Sequence, residues 1–490
     1  MHSSRMHFSI PDTQELGSSP TYTAYNIHIN GIHHCVLRYK QLHSLNEQLR
    51  RHCVGVPLPP FPPKRLLPLT NGQLEARRSS LEQYLQAVGQ DNRLARSAHL
   101  QQFLQRAQLD TALAEDQVAT DCEEQQLEVQ VYTNPAGERI LVSCSVQQNA
   151  SALLKSVCRE LQLPEELVRF FCLFLVRRQK KSGDLHLVRR LMDFESPYIT
   201  RLQVQPCELL LRTCYWDSSR DAKLTGSKVA LNLLYNQTVA DVNREWVVIC
   251  TPGEGRQLNS LQLHGRAREY MDLVRQLPSY GCLQFDEAQV DYPEPNTMAL
   301  ISIGNKELAL RTARGVKIYE TKFRVTRMRS WRVSVTHNTL ESRLQPTHLQ
   351  LAFEYLIGKQ TLRWITINSE QAMLMSVCLQ AMVDELLQRG GGSGKDHNSD
   401  EEQELNVVTP SLSTPSSTCS TSTWASSSCS TSTAPTTPPV RFLSEDSAPR
   451  SKARLTTSRT FGAVFFRNDV VDNGARVANG AFEGIGDDDL

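Results

Sequence analysis

Three basic positions in the first part of the chain have residue types that can bind an anion. Arg38, followed by Tyr39, ends an alternating apolar segment, Lys64 closes the proline-rich run "VPLPPFPPK", and Arg77 lies in "LEARRSSLEQYL". Arginine can hold a phosphate or carboxylate through two parallel hydrogen bonds, and lysine adds a compact positive charge. Whether these residues form one site depends on the elements that carry them.

Two other interpretations of this region stay open. Basic residues near turns are commonly solvated surface, and Pro59 and Pro62 with Lys64 also fit the spacing of an SH3 ligand. Leu66 and Leu67, which come shortly after the run, would either dip into a bilayer interface or pack in the core.

A second candidate site lies on the segment "AMLMSVCLQAMVDELLQ", which predicts a helix that is apolar around much of its circumference. Ser376, Gln380, Val383 and Leu387 share one face of that helix by 3.6-residue periodicity. An apolar stripe usually faces its own protein. Because other apolar residues of this helix can cover the preceding strands, we expect Val383 and Leu387 to face elsewhere, where a bound peptide would cover them.

The last twelve residues, "NGAFEGIGDDDL", are a third candidate site. Asn479 and Phe482 precede three aspartates, Asp487, Asp488 and Asp489, and the terminal Leu490. An acidic solubilising end is the simpler interpretation, but it does not account for apolar residues spaced through the segment.

Composition excludes several classes of protein. The chain has 490 residues, 40% of them hydrophobic, and a net charge of +1, so no bulk charge indicates nucleic acid as a partner. Its 13 cysteines are scattered, without the spacing of a zinc site or a disulfide scaffold. No signal peptide, membrane-spanning run or catalytic signature is recognisable. We therefore expect a reduced, cytosolic, soluble protein that is not an enzyme and has neither a metal nor another cofactor.

The elements before residue 110 predict a compact α+β unit. Two alternating strands flank Asn30-Gly31, a strong hairpin signal, and a helix with Leu42, Leu45 and Leu49 on one face follows. The proline-rich run predicts an extended loop, and two more helices follow it.

The remainder predicts three further units and a tail. A hairpin, a helix and a buried apolar run resemble a ubiquitin-like fold, and they are followed by a mainly helical stretch and then by strands that end in the apolar helix. The predicted boundaries are 1–109, a linker at 110–126, 127–205, 206–286, 287–389 and a Ser/Thr-rich tail at 390–490. Because the tail is of low complexity, we expect it to be disordered.

The first unit resembles the PX domain, the phosphoinositide reader of sorting nexins. The strand-end Arg-Tyr pair, the proline-rich loop ending in lysine, and "RRSSLEQYL" carry the resemblance over about 100 residues. It implies that Arg38 grips the 3-phosphate of phosphatidylinositol-3-phosphate and that Tyr39 packs on the inositol ring. It further implies that Lys64 meets the 1-phosphate and that Arg77 binds the 4- and 5-hydroxyls.

The three units after residue 126 resemble the ubiquitin-like, helical and PTB-like lobes of a FERM module. The predicted fold is therefore α+β and multidomain, a PX domain followed by three FERM-like lobes and a disordered tail. In the last lobe "TRMRSW" looks like the entry to the strand that bounds a peptide groove. Trp331 would be the aromatic anchor on that strand, and Val383 and Leu387 its partners on the helix.

Together these features resemble the PX-FERM sorting nexins. The resemblance implies a cytoplasmic adaptor, peripheral on early endosomes, that binds NPxY or NxxY motifs in receptor tails of the lipoprotein-receptor and integrin types. It would direct this cargo to recycling rather than lysosomal degradation. A membrane–cytoskeleton linker of the FERM type is the alternative.

The resemblance also gives the C-terminus two roles. Asp487, Asp488, Asp489 and Leu490 would dock the Retriever part of the Commander complex. Asn479 and Phe482 resemble the NxxY motif itself, so we expect this tail to occupy the groove until cargo displaces it.

Overall fold

The computed structural model describes residues 5–17, 21–65, 68–115, 125–178, 185–314, 317–336, 348–357, 361–390 and 464–467. In this part of the chain no helix is both long enough and apolar enough to cross a bilayer.

The first unit is a small antiparallel sheet covered by helices. Its elements are β1 (Phe8–Ser9), β2 (Thr13–Leu16), β3 (Tyr22–Ile29), β4 (Ile32–Arg38), α1 (Tyr39–His52), α2 (Asn71–Gln90), α3 (Asn92–Ala95) and α4 (Ala98–Ala114). β3 pairs with β4 on one side and with β1 and β2 on the other. The predicted hairpin is confirmed: Asn30 and Gly31 have φ angles of 50° and 81°, as a two-residue turn with both central φ angles positive requires.

The second unit is a five-stranded sheet packed on a helix. It comprises β5 (Gln125–Val131), β6 (Glu138–Cys144), α5 (Ala150–Glu160), α6 (Glu165–Val168), β7 (Phe171–Arg178), β8 (Leu185–Arg190), α7 (Pro197–Gln203) and β9 (Glu208–Thr213). The strand order is β6-β5-β9-β7-β8, with β5 and β9 parallel. β9 is buried between β5 and β7, and so it completes this sheet.

The third unit is helical, and the fourth is a sheet with one long helix. The helical unit holds a 3-10 turn (Ser218–Arg220), α8 (Asp221–Leu224), α9 (Lys228–Asn243), α10 (Pro252–Leu263) and α11 (Ala267–Val274). The fourth holds β10 (Leu283–Gln284), β11 (Ala288–Val290), β12 (Thr297–Gly304), β13 (Glu307–Arg314), β14 (Lys317–Arg324), a 3-10 turn (Val325–Arg327), β15 (Met328–Thr336), β16 (His348–Leu356), β17 (Leu362–Asn368) and α12 (Ala372–Gly390).

Three predicted boundaries are corrected by these pairings. The second unit does not end at residue 205, because β9 hydrogen-bonds inside its sheet. The fourth unit begins before residue 287, because β10 pairs with β12. The predicted linker from residue 110 is helical as far as Ala114, where α4 ends.

The tail also contains a regular element. Val464–Arg467 forms a strand, β18, that pairs antiparallel with β15 at the end of the fourth unit's sheet. The prediction that residues 390–490 lack regular structure is therefore wrong for these four residues. This strand has only four residues, which are too few for sequence periodicity to reveal it.

The first two units share a core. Met192 and Phe194, which follow β8, belong to the same buried cluster as the apolar residues of the first sheet. Nearby, the Arg189 guanidinium pairs with Glu195 through two hydrogen bonds of 2.7 and 2.6 Å, and both residues are buried. A bidentate geometry compensates for taking both charges out of water.

Buried histidines make the stability of this core depend on pH. His34 lies 3.0 Å through Nε2 from the Leu104 carbonyl oxygen and packs edge-on against Phe194. Burial lowers the pKa of His34, and that of His7, from 6.5 to about 4. Between these values the unfolded chain binds protons that the folded chain excludes. The free energy of unfolding should therefore fall as pH falls from 6.5 to 4, by about 1.4 kcal/mol per pH unit for each histidine.

Denaturant unfolding across this pH range measures the slope. His34→Gln should make this slope shallower by about one proton. Equal slopes for the variant and the parent protein would contradict the assignment.

Candidate phosphate pocket and peptide edge

Three of the four predicted anion-binding residues, Arg38, Tyr39 and Arg77, lie together where β4 ends and α1 begins. Arg38 is the last residue of β4, and Tyr39 is the first residue of α1. The Tyr39 hydroxyl donates a hydrogen bond of 2.8 Å to the Pro62 carbonyl oxygen, which fastens the proline-rich loop to this corner. Lys64 comes two residues after Pro62 and is exposed. It therefore follows directly on the part of the loop that this hydrogen bond holds in place.

Arg77 reaches the same corner from α2. Its guanidinium carbon lies 4.5 Å from the centre of the Tyr39 ring, and its Nη2 donates to the Pro63 carbonyl oxygen at 3.4 Å. The neighbouring Arg78 instead pairs with Glu75 at 2.6 Å and Glu82 at 3.2 Å. Of the two adjacent arginines, only Arg77 thus stands beside Tyr39 and the loop.

Arg38 is held by an aromatic ring that the sequence interpretation missed. Its guanidinium carbon lies 3.1 Å from the centre of the Tyr22 ring. A cation over a ring face is attracted by the ring quadrupole, and this contact uses the face of the guanidinium rather than its N–H edge. In the described part of the chain the Arg38 side chain forms no ion pair, so its donors remain available to an anion.

A β-bulge between Ile27 and His28 shifts the register of the β3–β4 hairpin, so the position of the Asn30-Gly31 turn alone does not identify Tyr22 as a neighbour of Arg38. Ala24 is the direct partner of Arg38 across the β3–β4 pair, and Tyr22 lies two residues before Ala24. Residues two apart on a strand share a face, so Tyr22 is a diagonal neighbour of Arg38. A second tyrosine, Tyr25, interacts with Arg77, which opposes the rise in the pKa of Tyr25 that burial causes.

The predicted membrane-contact residues Leu66 and Leu67 lie outside the described residues. Whether they meet a bilayer or the core remains a prediction.

The predicted peptide edge is the side of β15 that faces away from β16. β15 pairs with β16 along its inner side, and the tail strand β18 lies along the outer side. The register places Trp331 opposite Phe466 and Val333 opposite Val464. An extended segment of this chain therefore already adds a strand at this edge.

The predicted anchors on strand and helix are buried together. Trp331 has no exposed surface, and its indole Nε1 donates to the Ser376 hydroxyl on α12 at 3.1 Å. Val383 is 1% exposed and belongs to the same cluster, with Leu387 packed at its margin. The expectation that Val383 faces away from the sheet is thus wrong. Trp331 braces α12 against β15, and so it shapes the edge along which a peptide would lie.

α12 is held from the other units as well. Asp384, next to Val383, pairs with Arg5 of the first unit at 3.3 Å. Glu385 pairs with Arg220 at 2.9 Å and accepts a hydrogen bond of 2.9 Å from the backbone N–H of Trp216. The helix beside the peptide edge is therefore fixed on three sides.

The C-terminal candidates Asn479, Phe482, Asp487, Asp488, Asp489 and Leu490 lie outside the described residues. The tail segment that the structure places at β15 ends at Arg467, before any of them.

Family models match nearly all of the folded part of the chain. A PX domain matches residues 25–107, and the F1 lobe of the sorting nexin 17/27/31 FERM domain matches residues 127–216. The F2 lobe of the sorting nexin 17/31 FERM domain matches 217–278, and the sorting nexin 17 FERM C-terminal domain matches 281–387. The junctions near residues 216 and 281 agree with the strand pairings of β9 and β10.

Curated relatives match over most of their own length. Sorting nexin-17 of Bos taurus is 44% identical over 404 residues, covering 79% of this chain and 83% of the relative. Sorting nexin-17 of Danio rerio is 38% identical over 512 residues, covering 99% and 100%. Sorting nexin-31 of Homo sapiens is 34% identical over 394 residues, covering 78% and 86%. The chain therefore belongs to the sorting nexins that join a PX domain to a FERM module, the family of sorting nexins 17 and 31.

Proposed function

We propose that the protein is an endosomal cargo adaptor without enzymatic activity. It binds phosphatidylinositol-3-phosphate on early endosomes and NPxY or NxxY motifs in receptor tails, and it directs the receptors to recycling. The observation that supports this most strongly is the added strand at β15, because the lobe that would hold cargo takes up an extended segment there.

The lipid step uses the pocket at the β4–α1 corner. The Arg38 N–H edge binds the 3-phosphate, Tyr39 packs on the inositol ring, Arg77 binds the 4- and 5-hydroxyls, and Lys64 meets the 1-phosphate. The support is geometric. Arg38 and Arg77 each lie against a tyrosine ring. Neither forms an ion pair with a carboxylate among the described residues, so both can bind an anion.

The cargo step uses the β15 edge and α12. A receptor tail of the lipoprotein-receptor or integrin type adds its backbone to β15, and its motif lies towards Leu387, at the margin of the cluster that buries Val383. Since β18 holds the same edge, cargo and tail compete for it. The sequence predicts that Asn479 and Phe482 form the self-binding segment, and the position of β18 adds Val464–Arg467 as a second candidate segment.

The terminal residues complete the proposal. Asp487, Asp488, Asp489 and Leu490 dock the Retriever part of the Commander complex, which returns cargo to the cell surface. Docking then depends on the acidic run and on the leucine side chain, so Leu490→Ala should abolish it.

A vesicle assay that offers both ligands tests the whole proposal. Vesicles with phosphatidylinositol-3-phosphate and a lipid-anchored NPxY peptide should retain the chain at least about tenfold better than vesicles with either ligand alone, because membrane attachment makes the second contact intramolecular. Matched vesicles with an Ala-substituted peptide are the control. Additive retention would contradict an adaptor that joins the two ligands.

The alternative is a membrane–cytoskeleton linker of the FERM type. It predicts plasma-membrane or actin localisation that survives Arg38→Ala. An endosomal adaptor predicts loss of the endosomal signal in that variant.

A further inference from the structure

The tail strand fixes the direction in which a peptide crosses the β15 edge. β18 runs antiparallel to β15, with Val464 opposite Val333 and Arg467 opposite Ser330. A ligand bound with this polarity leaves the edge beyond Ser330, towards the beginning of β15. The residues that follow its strand therefore pass Arg329 and the 3-10 turn before it.

A β-bulge lies at that exit point. Between β15 and β16 the register shifts from Met328 opposite Tyr355 to Ser330 opposite Glu354, so Arg329 is the extra, unpaired residue. Bulges bend a strand and re-aim a side chain, and they are common beside binding sites. The pairing with β18 also stops here, so Arg329 stands where the added strand ends.

The sequence around Arg329 is rich in basic residues, although Lys322 and Arg324 lie beside Glu307. The stretch from Lys317 to Arg332 holds six basic residues and a single acidic one, Glu320. Arg329 is 48% exposed, and its ion pair with Glu354 is long, at 3.7 Å. Arg327 stands in the turn just before it, and no ion pair joins Arg327 to another described residue. The positive charges of Arg327 and Arg329, at the point where the peptide leaves β15, are thus only weakly compensated by carboxylates of the described residues.

The sequence of the chain's own tail has acidic residues shortly after the strand. The residues after Arg467 read "NDVVD", so Asp469 comes two positions after the strand and Asp472 five positions after it. An extended peptide advances about 3.3 Å per residue, so the second residue after the last pair of a ligand that stays extended is within reach of a long arginine side chain there.

From this polarity, this bulge and this charge we infer that Arg329, assisted by Arg327, recognises an acidic residue placed directly C-terminal to the added strand. The inference rests on the proposed peptide edge and deepens it. Receptor tails with an aspartate or glutamate just after the strand segment are selected over neutral or basic ones. Glu354 opposes this selection because it competes for Arg329.

Two peptides added to the full chain test this selection. One has the sequence of residues 464–472, "VFFRNDVVD", and the other replaces both aspartates by asparagine. Both compete with the chain's own tail, so the ratio of their affinities is unaffected by that competition. At low salt the acidic peptide should bind about three- to tenfold more tightly, and the ratio should shrink towards one at high salt.

Three variants assign the effect to its residue. Arg329→Glu should remove or invert the ratio, and Glu354→Gln should increase it. Arg256→Glu, a charge reversal at an exposed position of α10 in the helical unit, is the matched control and should leave it unchanged.

The outcomes separate this inference from the proposed function. Equal binding of both peptides overturns the inference and leaves the peptide edge intact. No binding of either peptide, even to the chain with Phe465→Pro/Phe466→Pro that frees the edge, overturns the edge and the inference with it. If Arg329→Glu lowers binding to anionic phosphatidylserine vesicles but leaves the peptide ratio unchanged, the arginines serve a membrane surface, and the inference is wrong.

Discussion

Arg38→Ala is expected to lower the affinity for vesicles that contain phosphatidylinositol-3-phosphate by at least about 100-fold. The variant loses two hydrogen bonds to a phosphate, each worth about 1.5–3 kcal/mol when one partner is charged, and every 1.4 kcal/mol is about tenfold. The Tyr22 ring would keep its place but would have no cation to present. Sedimentation with vesicles of graded lipid content measures the change.

Arg51→Ala is the matched control, because Arg51 is an exposed arginine on α1 away from the pocket. It removes the same net charge and should change the affinity less than about twofold. If the two variants bind equally well, the affinity comes from general basic charge, and the proposed pocket is wrong.

Tyr22 variants separate placement from charge in the same assay. Tyr22→Phe keeps a ring face under the guanidinium and should bind like the parent protein. Tyr22→Leu keeps an apolar side chain but removes the ring quadrupole, so Arg38 loses its support and binding should weaken severalfold. A loss in both variants would indicate a role for the hydroxyl instead.

The fold was largely predictable from the sequence because its signals are local. The Asn30-Gly31 turn between two alternating strands, the helix with Leu42, Leu45 and Leu49, and the apolar segment of α12 each carry their pattern in a short window. The family motifs then ordered these elements into a PX domain and a FERM module, and the matching family models confirm that order.

The errors come from features that depend on distant partners. β9 is a short apolar segment, and only its pairing with β5 and β7 places it in the ubiquitin-like lobe. Tyr22 lies beside Arg38 because of the cross-strand register, and that register cannot be read from the sequence. α12, which carries Val383, has apolar residues around most of its circumference. Periodicity alone therefore cannot say which side of the helix the sheet covers.

The double variant Phe465→Pro/Phe466→Pro is expected to raise the affinity for an NPxY peptide about tenfold, if the tail leaves the edge free about one tenth of the time. Successive N–H groups of a strand point in opposite directions, so replacing both residues removes the donor that faces β15. Proline also cannot extend a central ladder. The register places both residues within the β18 pairing, opposite Arg332 and Trp331. Calorimetry with the full chain measures the gain.

Two single changes in the same tail complete the argument. Thr457→Pro lies before β18 and should leave peptide affinity unchanged, since it alters no paired residue.

Phe482→Ala tests the other candidate segment, the one that resembles a cargo motif. A gain with Phe482→Ala alone would assign the occluding contact to Asn479 and Phe482. A gain with the proline pair alone would assign it to β18, because only that variant removes the backbone ladder at Trp331. Unchanged affinity in both would mean that the tail does not compete with cargo, since a displaced competitor must raise apparent affinity whichever segment it uses.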